Sequence, residues 1–335
     1  MEFFDILKQM NGQHGPSGDE SAVAEVIRSI AAPYADEITT DTMGNLIVHK
    51  KGNGPKVMFA AHMDSIGFIV THVEKEGYLR IGKVGGISPK DVLNTPVRFK
   101  NGVRGLITMD QKAGEKGPKM DDLVLDIGAK SADEVKKMGV QVGDTVIYDT
   151  PSFQAGDRVA SPYLDNRSCC AALLMALEQV KESENDLYFV FTVQEEVGLR
   201  GAKTAAYAID PDYAVVTDVT VADDEVGTDH TGNSTLGGGA AIKIMDHSVI
   251  CHPEMVKKLE TLAQEKNIKA QRDIICSGGT DAGVIHVSRA GVYTGGVSVP
   301  CRYVHSPLEM VDENDVIATA KLLAAFAETK LEQEL

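Results

Sequence analysis

Two adjacent glutamates, Glu195 and Glu196, stand where the apolar run "YFVFTVQEEVGLRG" (188–201) stops. Successive strand residues point to opposite faces, so both carboxylates can serve one site only if the strand ends there and the backbone turns. Gly198 supplies such a turn. A buried carboxylate also needs a partner, because an unpaired buried charge is strongly unfavourable. Other apolar runs end in the same kind of residue. "AAHMDSIGF" ends one run in His62 and Asp64, and "YAVVTDV" ends another in Asp218. Asp165 precedes a helical stretch in "SPYLDNRSCCAAL", and His305 precedes a Ser-Pro turn in "CRYVHSPLEM". Two histidines and five carboxylates suit a pair of divalent cations of the Zn²⁺, Co²⁺ or Mn²⁺ kind, held by imidazole and carboxylate. His62 and Asp64 lie two apart, hence on one strand face, so Asp64 can orient the imidazole from behind.

Those residues need a frame that gathers strand ends. "KVMFAAH" (56–62), "LYFVFTV" (187–193) and "YAVVTDV" (213–219) read as strands apolar on both faces, the pattern of a buried parallel sheet. Helical spacing in "CCAALLMALEQVKE" and "GAKTAAYAI" between them gives a βαβ rhythm, and "NDVIATAKLLAAFAETKLEQEL" reads as a capped C-terminal helix. The expected fold is α/β, with a mostly parallel central sheet flanked by helices. In such sheets a site forms in the crevice at the carboxyl ends of the strands. Residues 67–157 differ. Short alternating pieces separated by turns such as Glu76-Gly77 and Asn101-Gly102 predict antiparallel hairpins closing a small barrel or sandwich, with one helix around "SADEVKKMG" (131–139). The predicted organisation is a catalytic α/β domain from 1–66 and 158–335, with a β-rich domain inserted at 67–157.

Composition narrows the function classes. The chain has 335 residues, 43% hydrophobic and 24% charged, which is ordinary for a globular protein. A formal charge of −16 argues against nucleic acid as a partner, since a phosphate-binding surface needs clustered Lys and Arg. No apolar run is long enough to span a membrane. "MEFFDILKQM" reads as a first helix rather than a signal peptide, so a cytoplasmic location is expected. The five cysteines include no CxxC pair, and Cys169 and Cys170 read as small core residues. "LGGG" (236–239) lacks the Lys and Ser/Thr of a phosphate loop. His49, His72, His230, His247, His252 and His286 have no ligand-like company and read as surface or core residues.

The order His-x-Asp, Asp-Asn, Glu-Glu-x-Gly, Asp, His-Ser-Pro resembles the dinuclear-metal aminopeptidases. The strings "AAHMDSIGF", "YLDNR", "VQEEVGLRGA", "SGGTDAG" and "CRYVHSPLEM" are similar to the M42 family, of glutamyl aminopeptidase and tetrahedral aminopeptidase type, along nearly the whole chain. Ser65 departs from the pattern, since many members carry Glu there. The resemblance implies that His62 and Asp218 hold one metal, Glu196 and His305 the other, and that Asp165 bridges both. It implies Glu195 as general base and a cis Asp165-Asn166 peptide. It makes "SGGTDAG" a wall of the substrate pocket, with Thr280 and Asp281 as candidate substrate contacts. It further implies two divalent metal ions per subunit, short peptides as substrates, and dimers assembling into a dodecamer through the inserted domain.

Two other activities compete. Di-zinc deacylases and carboxypeptidases share a similar ligand order, but there the second domain lies between the fourth ligand and the final His. Here the long β-rich excursion falls between His62 and Asp165. An endoglucanase would need two carboxylates flanking a sugar and no metal, which leaves both histidines surplus.

Overall fold

The computed structural model describes residues 1–110, 118–228 and 234–332. Its centre is the strand Lys56–His62, rich in apolar residues and buried from Val57 to His62. Asp186–Thr192 and Tyr213–Val216 lie parallel to it on either side, and Tyr293–Arg302 lies parallel to the latter. Phe59 stacks on Phe189 at 4.9 Å between centroids and meets the edge of Phe326 at 6.2 Å. Both faces of these strands are covered, which explains why their sequences show apolar runs rather than alternation. Helix Leu164–Gln179 is buried from Leu164 to Leu177 and packs on Glu313–Glu328, whose first turn is capped by the Asp312 carboxylate accepting from the Asn314 amide at 2.8 Å.

The twelve-stranded sheet is mixed rather than mostly parallel. Leu46–Lys50 runs antiparallel to Asp186–Thr192, and Glu37–Thr40 pairs antiparallel beyond it. On the other side Glu309–Asp312, Arg158–Ser161 and Phe153–Ala155 follow in antiparallel order. The physical reason is connection length. Parallel neighbours need a crossover, whereas these flanking strands include hairpin pairs joined by short turns. Phe153–Ala155 turns into Arg158–Ser161 through Gly156 at φ 65°, so this piece belongs to the large sheet and not to the barrel.

The run 213–219 is also divided. Tyr213–Val216 and Val219–Val221 are separate short strands, yet both pair parallel with Tyr293–Arg302 in continuous register, Val216 against Gly296 and Val219 against Val299. The interruption falls on Thr217 and Asp218, where the Thr217 amide donates instead to the Ala60 carbonyl at 2.8 Å.

In the chain between Lys56–His62 and Phe153–Ala155, six strands close an antiparallel barrel in the order Gly67–Val73, Leu79–Val84, Leu123–Asp126, Arg104–Met109, Pro96–Phe99 and Thr145–Tyr148. Phe68, Leu79, Val97, Phe99, Ile107, Leu125 and Val146 fill it as a cluster of their own, separate from the core of the large sheet. Helix Ala132–Lys137 adjoins it, capped by Ser131. Among the described residues no helix is long and apolar enough to cross a membrane.

The loop before Ser21 touches the barrel. His14 Nε2 lies 2.8 Å from Thr145 Oγ1 of the barrel, and Lys100 donates to Asp19 at 2.5 Å. Removing the central ring should test the sheet core. Phe59→Ala is expected to destabilise by about 3–5 kcal/mol, the usual cost of emptying a buried aromatic site. Val142→Ala, at an exposed barrel position, should change stability by less than about 0.5 kcal/mol. Urea denaturation midpoints of the two variants measure the difference.

Candidate active site

Because the four central strands run parallel, their carboxyl ends share one edge, and the polar residues that end them meet there. His62 is the last residue of its strand, and Glu195 and Glu196 follow the end of Asp186–Thr192. Asp218 sits at the break before Val219–Val221, and His305 follows Tyr293–Arg302 in a left-handed conformation at φ 64°. Asp165 comes from the distorted first turn of Leu164–Gln179, and the Asp165-Asn166 peptide is cis.

Asp165 stands between the two histidines. Its Oδ1 is 3.1 Å from His62 Nε2 and its Oδ2 is 3.3 Å from His305 Nε2. His62 Nε2 also lies 3.6 Å from Asp218 Oδ1, and His305 Nε2 lies 3.4 Å from Glu196 Oε2. Two donor sets result, His62 with Asp165 and Asp218, and Asp165 with Glu196 and His305, each with its donor atoms within 4.8 Å of one another. Glu195 Oε2 is 3.9 Å from His62 Nε2 but belongs to neither set.

Backbone amides fix these groups from behind. Asp64 is fully buried, and its Oδ1 accepts from the Glu195 amide at 3.0 Å while its Oδ2 accepts from the Glu196 amide at 3.3 Å and from Ser17 Oγ at 2.6 Å. His62 Nδ1 lies 3.4 Å from Asp64 Oδ1 and 3.2 Å from the Asp64 carbonyl. The turn that carries both glutamates has Gln194 at φ 56° and Gly198 at φ 124°. Glu20, also buried, accepts from the Gln194 amide at 3.2 Å.

Glu309 was not singled out from the sequence. Its buried carboxylate accepts from the Asp165 amide and the His305 amide, both at 2.8 Å. The available signal was its place four residues after His305 in "CRYVHSPLEM", an acid among apolar neighbours at the start of a strand. Ser65 is buried and donates its hydroxyl to the Gly15 carbonyl at 3.2 Å. Thr280 lines the cavity but turns its hydroxyl to Asp246 at 2.9 Å. Asp281 is buried beneath, taking the Thr192 hydroxyl at 2.5 Å on Oδ2 with no hydrogen-bond partner at Oδ1. His49 is tied to Asp186 at 2.6 Å and His286 to the Ala282 carbonyl at 2.8 Å, and His252 caps a helix. His230 lies outside the described residues.

The electrostatics show which sign of charge is in excess. Burial, reinforced by Asp218, Asp281 and Glu196, holds the Glu195 carboxyl well above its usual range despite His62 nearby. Burial works against protonation of His305, yet hydrogen bonds to Asp165 and Glu196 push its pKa up to about 12. Burial likewise opposes charge on His62, but Asp218, Glu195 and Asp165 raise its pKa well above normal. Glu196 Oε1 is buried without a hydrogen-bond partner. Buried carboxylates in excess, an unpartnered carboxylate oxygen and imidazoles facing the same space fit divalent cations of the zinc class.

Comparison with known proteins agrees with this chemistry. The chain is 46% identical to a putative aminopeptidase of Acetivibrio thermocellus over 323 residues, covering 96% of this chain and 97% of the relative. The aminopeptidase APDkam598 of Desulfurococcus kamchatkensis superposes with a TM-score of 0.94 at 38% identity, covering 97% and 94% of the two chains. The Pyrococcus horikoshii TET1 peptidase, described as able to assemble into a tetrahedron or a large octahedral shell, superposes at 0.88 with 31% identity, over 98% of this chain and 100% of that one. The sequence profile of the M42 glutamyl aminopeptidases matches residues 44–322, and the chain belongs to that family of peptide hydrolases.

Proposed function

We propose that the protein is a metal-dependent aminopeptidase that removes the N-terminal residue of short peptides at a dinuclear centre. The observation that carries this is the placement of Asp165, whose two oxygens face two histidines from two separate donor sets. In this reading His62 and Asp218 hold one cation, Glu196 and His305 hold the second, and Asp165 serves both. Two Zn²⁺, Co²⁺ or Mn²⁺ ions there would polarise the scissile carbonyl and lower the pKa of the attacking water toward about 7.

The chain's own groups do the rest. Glu195, outside both donor sets and beside His62, takes a proton from the attacking water. As the new C–O bond forms and the C–N bond breaks, that proton passes to the leaving amine. One water is consumed, and a free amino acid and a shortened peptide are released. Asp64 holds the amides of Glu195 and Glu196, so the base and the ligand keep their directions, and it supports the imidazole of His62.

For the inserted segment, whose barrel strands lie between Gly67 and Tyr148, we propose a role in assembly of dimers into a dodecamer. It is supported by a core independent of the large sheet and by the assembly described for the P. horikoshii TET1 peptidase. An enclosed assembly would admit unfolded peptides and exclude folded proteins.

Exhaustive chelation should abolish release from chromogenic aminoacyl amides, and added Zn²⁺, Co²⁺ or Mn²⁺ should restore it. Full activity in verified metal-free protein, or reducing-sugar release from cellulose in place of amide hydrolysis, would sink this reading. Glu195→Gln should lower kcat by about 10² or more with metal content nearly unchanged. Glu196→Gln should lose metal, and Glu309→Gln should weaken metal affinity by about 10- to 100-fold, because one of two ligand-bearing amides loses its acceptor. Reversal of the Glu195 and Glu196 phenotypes in metal analysis would exchange their roles. Sedimentation at micromolar concentration should give a large homo-oligomer, and a fully active monomer would remove the assembly role of the barrel.

A further inference from the structure

The cluster occupies one side of a cavity of about 580 Å³, and the rest of that cavity has a different chemistry. Its outer wall is made by Leu199, Val219, Val221, Ile275 and Val304, continued by the small residues of Ser277–Gly279. Among the described residues lining it, the ionisable groups are the histidines and carboxylates of the cluster alone. We propose that the N-terminal residue this site removes is neutral and aliphatic, of the leucine or methionine kind. This inference rests on the aminopeptidase reading above and names its substrate class.

The wall is apolar because of strand alternation. Val219 and Val221 are two apart on one short strand and line the cavity, while Thr220 points to the other face. There the Thr220 hydroxyl donates to Asp273 Oδ1 at 2.8 Å, and the Lys243 ammonium is held by Asp273 Oδ2 in a buried pair. The ammonium on that side is therefore engaged and lies behind the strand, away from a substrate side chain. Arg302 is likewise engaged, donating to Asp224 Oδ1 at 2.7 Å.

The carboxylate behind the glycine-rich wall is equally occupied. Asp246, behind the glycine-rich wall, accepts from the Ser248 amide and hydroxyl, both at 2.7 Å, the Val249 amide at 2.9 Å and the Thr280 hydroxyl at 2.9 Å. Beyond the cluster, a glutamate side chain entering this pocket would meet no cation among the described lining residues, and a lysine would meet no carboxylate there. Burying either in ionised form without a partner is unfavourable, whereas an aliphatic side chain gains by leaving water. The acidic chain adds a long-range field that disfavours an anionic residue further.

The test is a panel of Leu, Met, Ala, Lys and Glu p-nitroanilides with the metal-loaded oligomer. kcat/KM for Leu or Met should exceed Ala by about 10-fold or more, and Lys and Glu by about 10². Preference for Lys or Glu overturns the inference while leaving the aminopeptidase reading intact. Release from none of them overturns that reading and this inference with it. A charge-introducing variant gives a second arm. Val221 is 56% exposed at the end of its strand, so Val221→Lys opens no cavity in the core. Its Glu-to-Leu ratio of kcat/KM should rise by about 10-fold or more. An unchanged ratio in a folded, metal-loaded variant overturns the assignment of this wall.

Discussion

Buried negative charge, gathered where four parallel strands end, is the constraint that the rest of the molecule answers. Asp165, Glu195, Glu196 and Asp218 converge on two imidazoles inside a protein interior that disfavours ions. Two further buried carboxylates, Asp64 and Glu309, act as clamps, and each accepts two backbone amides of cluster residues. Asp64 grips the glutamate turn, and Glu309 joins the amide of Asp165 to that of His305. Those amides occupy both clamps, although burial and nearby Asp165 still hold the Glu309 carboxyl well above its usual range. The cluster carboxylates instead turn oxygens toward the imidazoles, which is why the cluster reads as a cation site.

The outer cavity follows a different rule. Its neighbouring charges, Lys243 with Asp273 and Arg302 with Asp224, are consumed in pairs outside the lining, and the described lining beyond the cluster is left to Val, Leu, Ile and Gly with the uncharged Ser277 and Thr280. One strand serves both purposes, with Val219 and Val221 on the cavity side and Thr220 bonded into the ion pair. Reaction chemistry and side-chain recognition are thus built on opposite sides of one space.

Much of this was legible in the sequence because parallel strands write their burial plainly. Apolar runs ending in His62, Glu195 and Asp218 give both the strand and its functional terminus. The pieces that escaped depend on partners distant in the chain. Glu309 looks like any acid beginning a strand, and only the approach of Asp165 makes it a clamp. Ser17 and Glu20 sit in a loop that reads as a helix entry, yet they bond Asp64 and Gln194 across the fold. The antiparallel flanks were missed because Glu37–Thr40 and Phe153–Ala155 are short, exposed strands with little apolar periodicity. Within 213–219 the pattern continued through Thr217 and Asp218 where the strand itself breaks.

The chain order of the cluster has a consequence during biosynthesis. Its residues and clamps are drawn from residue 62 to residue 309, on both sides of the barrel, so no growing polypeptide holds the complete set until Glu309 has left the ribosome. The barrel, whose strands lie between Gly67 and Tyr148, can close long before that moment. A hydrolase built this way is inert while its chain is still growing toward Glu309, whose arrival completes the cluster.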